Sequence, residues 1–168
     1  MDAVIIDTNV MVVANGKAAA PQARCKCIIR CRARLAEILR ESERVLLDDK
    51  KRIIQEYRRN LNKKGRGFGD RFWQELVRRM WNSEKVIRVP ITPLAGNGTD
   101  FEEFPNDDAS LKGFHKKDRK FVAVALAYQS DTGQEAPILK AEDSGWEEFR
   151  EALAAYGVRV DSICEEDS

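Results

Sequence analysis

Four carboxylates stand out by position: Asp7, Glu56, Asp118 and Asp143. Asp7 ends the apolar run Val4-Ile5-Ile6 and is followed by Thr8 and Asn9, and Asp143 follows Ile138-Leu139 in much the same way. Glu56 sits within Ile53-Ile54-Gln55-Glu56-Tyr57-Arg58, and Asp118 opens an apolar helical stretch through Phe121, Val122 and Ala125. Each acid has an ordinary account when taken alone. Asp7 suits a helix cap, Asp118 gains from a helix dipole, and Glu56 has Arg52 and Arg59 at salt-bridging offsets. Together, two acids lie just past the ends of buried strands and two on helices that flank those ends, where open α/β sheets bind ligands. Carboxylates that meet there raise one another's pKa and cannot all ionise without a cation. Oxygen donors without a well-placed histidine select hard ions, Mg2+ or Mn2+. Paired ions of this kind, about 3.5–4 Å apart, hydrolyse phosphodiesters.

Positioning such a set requires alternating strands and helices. Val4-Ile5-Ile6, Val45-Leu46-Leu47, Val86–Val89, Pro137–Leu139 and Val158–Val160 read as strands. The first two lack polar alternation, as strands covered on both faces do. Between them, helical spacing predicts helices over about 21–40, 51–61, 70–81, 117–128 and 146–156. Asp70 is the expected cap of the third. Residues 12–20 read as turn, with Asn15-Gly16 as the signal. The pattern is α/β: a three-layer α/β/α sandwich around a central, mainly parallel sheet of about five strands. Residues 1–168 form a single domain, with a long loop at about 92–115 and a short acidic C-terminal tail. Loops of that length are usually functional or mobile.

The chain is 43% hydrophobic and 34% charged, which excludes disordered and membrane-embedded classes. No apolar stretch approaches the roughly 20 residues that span a bilayer. The N-terminus lacks a basic region followed by an apolar signal segment, so a cytoplasmic location is expected. The net charge of +1 conceals a basic run between Lys50 and Arg66, opposed there only by Glu56. That asymmetry suggests a surface facing a polyanion. Cys25, Cys27 and Cys31 lie in one helical pattern and Cys164 stands far away. Core thiols are the expected reading, since disulfides are rare in the cytosol.

The run Ile5-Ile6-Asp7-Thr8-Asn9, the pair Glu56-Tyr57, Lys117-Asp118-Arg119-Lys120-Phe121-Val122 and Asp143-Ser144-Gly145-Trp146 follow one another in an order that resembles the PIN-domain family of metal-dependent ribonucleases. The resemblance covers nearly the whole chain. It implies that Asp7, Glu56, Asp118 and Asp143 line one cleft and bind Mg2+ or Mn2+, with Asn9 and the Thr8 hydroxyl orienting the first acid. The family often carries a second acid where Gly145 stands; its loss removes one ligand or leaves Glu142 to substitute. Small prokaryotic members are mostly toxins held by an antitoxin, so a protein inhibitor and a second copy of the chain join nucleic acid as implied partners.

The function expected is a divalent-metal-dependent nuclease, an endoribonuclease of single-stranded RNA acting as a toxin or a processing enzyme. Arg59, Lys63, Lys64 and Arg66 would track the phosphate backbone, and Phe68 would stack on a base. A solvated helix face accounts equally well for any one of these cations. The alternative is a PIN-like module that binds nucleic acid or protein without cutting, left open by Gly145. A phosphohydrolase using Asp7 as nucleophile would need a second Asp where Asn9 stands. Phe72, Trp73 and Trp81 read as core residues, and His115 as a surface loop residue.

Overall fold

The computed structural model describes residues 2–96, 98–142 and 144–164. Five strands, β1 (Ala3–Ile6), β2 (Arg44–Asp48), β3 (Val86–Val89), β4 (Ile138–Lys140) and β5 (Val160–Ser162), form one sheet in the order β3-β2-β1-β4-β5. Every pairing is parallel, with Val4 opposite Val45 and Ile6 opposite Leu139. All residues of β1 are buried, which explains its run without polar alternation. Helices α1 (Thr8–Ala14), α2 (Cys25–Arg40), α3 (Arg52–Asn60), α4 (Phe68–Arg79), α5 (Arg119–Thr132), α6 (Ser144–Glu147) and α7 (Arg150–Ala154) flank the sheet in a three-layer α/β/α sandwich. No helix among the described residues is long and apolar enough to cross a membrane.

Several elements depart from expectation. The stretch after β1 is not a turn but α1, a helix that begins directly at Thr8 and packs on α2, α3 and α4. Its Val10 and Val13 disfavour a helix in isolation, and burial overrides that preference. Asp70 does not cap α4, which begins at Phe68. Its carboxylate instead accepts from the Asn62 amide (2.9 Å) and the Asn15 side chain (3.1 Å), while Asn15 Oδ1 accepts from the Asp70 amide (2.9 Å). α5 runs on to Thr132, where Gly133 at φ +74° ends it in the left-handed conformation. The last expected helix is two short ones, α6 and α7.

The long loop is packed. A bridge joins Pro93 to Phe101, and Phe101, Phe104, Leu111 and Phe114 are all buried. Phe114 meets Trp146 and Phe149 edge-on at 5.2 and 5.3 Å. The Arg119 guanidinium pins the loop to α5, donating to Asp100 (2.8 Å) and to the Phe114 carbonyl (3.1 Å). Phe72 and Trp73 join the core as expected, whereas Trp81 lies past the end of α4 and is exposed.

The expected free thiols are corrected at two positions. Cys27 and Cys164 form a disulfide across a sequence separation of 137. Cys25 is exposed, and Cys31 remains a buried thiol 3.7 Å from Cys164 Sγ. Burial first, and the Glu142 charge second, raise the Cys31 thiol from 9.0 to about 12.

Candidate functional site

Asp7 leaves β1 still in extended conformation, and its amide donates to the Leu139 carbonyl (2.9 Å), prolonging the ladder with β4. Its carbonyl then accepts from Val10 and starts α1, but its carboxylate makes no capping hydrogen bond to that helix. The side chain is nevertheless buried at 4% exposure. A buried carboxylate at the carboxyl edge of a central strand, with no capping work, lies where α/β sheets place ligand-facing groups.

Glu56 is brought to the same edge by Tyr57. That phenol is wholly buried and donates to the carbonyl of Ile6 at 2.5 Å, docking α3 on the end of β1. Burial raises the Tyr57 pKa well above 10, and the Glu56, Asp7 and Asp48 charges push it further. The start of α3 is held by Asp48, whose buried carboxylate accepts from the amides of Lys50 (3.2 Å), Arg52 (3.1 Å) and Ile53 (2.8 Å). To reach this arrangement Lys51 takes φ +62°, the one left-handed residue other than glycine among the described residues.

The partners expected for Glu56 are replaced. Arg52 turns to Asp48 (3.2 Å) and Asp49 (3.7 Å). Glu56 Oε1 accepts instead from the Lys120 ammonium at 2.6 Å, and Oε2 from the Thr8 hydroxyl. Thr8 therefore engages the second acid of the set, where it was expected to orient the first.

Asp118 ends a single 3-10 turn, Lys116–Asp118, and leads into α5 without a side-chain cap. The cap of that turn is His115, whose Nδ1 accepts from the Lys117 amide at 3.2 Å. Asp7, Glu56 and Asp118 line one cleft of about 920 Å3 at the carboxyl edge of the sheet. Asn9, Gly145 and, from the packed loop, Thr99 and Phe101 complete its walls. Asp143 lies outside the described residues.

Two groups of expected site residues do not reach this cleft. Glu142 is drawn off by Arg24, which also holds the Cys164 carbonyl at 2.8 Å. Lys63, Lys64 and Arg66 are carried away in the glycine-rich segment, which is a clasp against α1. A side chain at Gly69 would place its Cβ 1.9 Å from the Met11 carbonyl oxygen, so glycine is needed there for close packing of the two helices. Phe68 is half-buried against the core and does not line the cleft.

Arg59 does line the cleft. The further cations along it, missed from sequence, are Arg52, Lys116, Lys117 and Lys120, with His115 beside them. The available signal was their spacing around Asp118: a turn ending in that acid sends its neighbours into the same opening.

No protein-family model, curated protein or solved structure matches this chain.

Proposed function

We propose that this chain is a divalent-metal-dependent nuclease of the PIN-domain kind, an endoribonuclease acting on single-stranded RNA. The observation that carries the reading is the convergence of Asp7, Glu56 and Asp118, from three separate segments, on one cleft bordered by Arg59, Lys116 and Lys117. Acids alone would repel a phosphate backbone, and the bordering cations offset that repulsion and hold the strand.

The donor chemistry suits a hard ion in part. Asp7 and Asp118 are carboxylates, the ligand type that Mg2+ and Mn2+ prefer, and both oxygens of Glu56 are engaged by Thr8 and Lys120. Bound there, the ion supplies Lewis acidity, activating water and stabilising the departing oxygen. In the hydrolysis, a water oxygen bonds to phosphorus and gives up one proton to solvent, one ester P–O bond breaks, and the departing ribose oxygen takes up a proton. Asp7, buried on a rigid strand end, fixes the geometry of the centre. Phe101 and the packed loop wall it from bulk water on one side. An inhibitor protein and a second copy of the chain belong to the same proposal, with exposed Val77 and Trp81 on one side of the α4 region as a surface for either.

The test is cleavage of a labelled single-stranded RNA with Mn2+, with Mg2+ and with EDTA, for the wild type and Asp7→Asn. Metal-dependent cutting that falls by at least about 100-fold in Asp7→Asn, with circular dichroism unchanged, is the expected result. Equal cutting by both proteins would sink it. One observation favours a second reading, a module that binds RNA without cutting: Gly145 lines the cleft where an acid would strengthen ion binding. That reading expects RNA retention without cleavage under every metal condition.

A further inference from the structure

Lys120 is a cation of the cleft held directly on an acid of the proposed centre. Its ammonium donates to Glu56 Oε1 at 2.6 Å and to the Lys117 carbonyl at 2.5 Å, and the Thr8 hydroxyl occupies Glu56 Oε2. The side chains of Lys120 and Glu56 are only 13% and 14% exposed. An ion pair so withdrawn from water is costly to break from one side, because separation leaves an uncompensated charge. A second divalent ion on Glu56 would have to displace the ammonium or sit against it, charge on charge.

We propose that Glu56 is the anchor of Lys120 rather than a metal ligand, and that the Lys120 ammonium is a fixed cation of the centre which contacts the scissile phosphate. The cleft then takes a single divalent ion, and Lys120 supplies the positive charge that a second ion would bring. An ammonium has three N–H donors. Two are placed on Glu56 and Lys117, leaving one for a non-bridging phosphate oxygen as negative charge develops there. Lys120 forms no covalent bond and acts only as a hydrogen-bond donor. Its place two residues after Asp118, in the first turn of α5, ties the ammonium to the same rigid segment as that acid. This inference rests on the nuclease reading.

The experiment is a titration with MnCl2 alone, read by calorimetry and by the electron spin resonance of free Mn2+, on the wild type, Lys120→Met and Glu56→Gln. One Mn2+ per chain in the wild type is expected. Glu56→Gln should still bind one Mn2+ per chain, since a residue that is no ligand leaves the stoichiometry unchanged, though more weakly, because the ammonium it anchored is left uncompensated. Lys120→Met frees Glu56 and should gain a second Mn2+ or bind the first more tightly. Cleavage by Lys120→Met should fall about 100-fold in kcat, the scale of losing one charge-stabilising donor, with partial recovery in Lys120→Arg. Two Mn2+ per wild-type chain, or loss of Mn2+ binding in Glu56→Gln, would overturn the proposal while leaving the nuclease reading intact. No Mn2+ on any of the three proteins would overturn the nuclease reading and this proposal with it. Should Glu56→Gln fail to fold, the wild-type stoichiometry and Lys120→Met decide the matter.

Discussion

Tyr57 shows how a single buried group couples the site to stability. Its phenol is held neutral by burial and by three neighbouring carboxylates, and it ties α3 to the end of β1. A raised pKa means that the folded protein keeps its proton while the unfolded tyrosine loses it above about pH 10. The stabilisation is therefore fully present below that pH and is lost as pH rises beyond it. Cys31 acts in the same direction from 9.0 to about 12. We expect thermal stability to be level up to about pH 9 and then to fall steeply, a slope that circular-dichroism melting at a series of pH values reads directly. Tyr57→Phe should lower stability at pH 7 by about 1 kcal/mol, the cost of one hydrogen bond, and make the alkaline fall shallower. An unchanged alkaline slope in that variant would refute the assignment. At this scale much was legible: an acid that ends a buried strand, or opens an apolar helix, advertises its place. The partners of Glu56 were not, because Lys120 and Thr8 are 64 and 48 residues away in sequence. Helical offsets point only to Arg52 and Arg59.

Among the elements, the segment 61–70 changes meaning most between sequence and structure. From sequence its basic residues are expected to track phosphate, and its three glycines announce no packing role. In the fold, Asn15 and Asp70 exchange hydrogen bonds across it, and Gly69 lets α4 approach the backbone of α1. Glycine serves close approach as readily as flexibility, and composition does not distinguish the two. Gly69→Ala should push the helices apart and cost about 2 kcal/mol or more, the scale of overpacking, measured by urea unfolding. The lysines beside it, which stay outside the cleft, predict the opposite kind of variant. Lys63→Ala and Lys64→Ala together should leave stability within about 0.5 kcal/mol of the wild type. α1 was hidden for a related reason. It is 7 residues long and rich in branched side chains, so only its contacts with three other helices make it stable.

For the whole molecule, the alternation of strand and helix was enough to place the parallel sheet, whereas the covalent link that closes the chain on itself was not legible. Cysteine spacing within α2 says nothing about a partner 137 residues downstream, and the expectation of a reducing compartment argued for thiols. The disulfide fastens β5's end of the chain to α2, enclosing every element from β2 to β5 within one loop and leaving β1 and α1 outside it. A closure of that length restricts the unfolded chain strongly, and about 3–5 kcal/mol of stability should accompany it. Replacing both Cys27 and Cys164 by Ser should therefore lower Tm by about 10 °C relative to the oxidised wild type. The double variant is needed because Cys31 Sγ lies 3.7 Å from Cys164 Sγ and could take the place of Cys27 in a single one. Dithiothreitol should bring the wild type to the same Tm as the double variant, and slowly, since both sulfurs of the bond are buried. Identical melting with and without reductant, alongside an unreduced digest in which the Cys27 and Cys164 peptides run separately, would show that the pair stays as thiols. The site itself should be indifferent to the outcome, because its cleft is built from β1, α3 and the start of α5, none of which carries a cysteine.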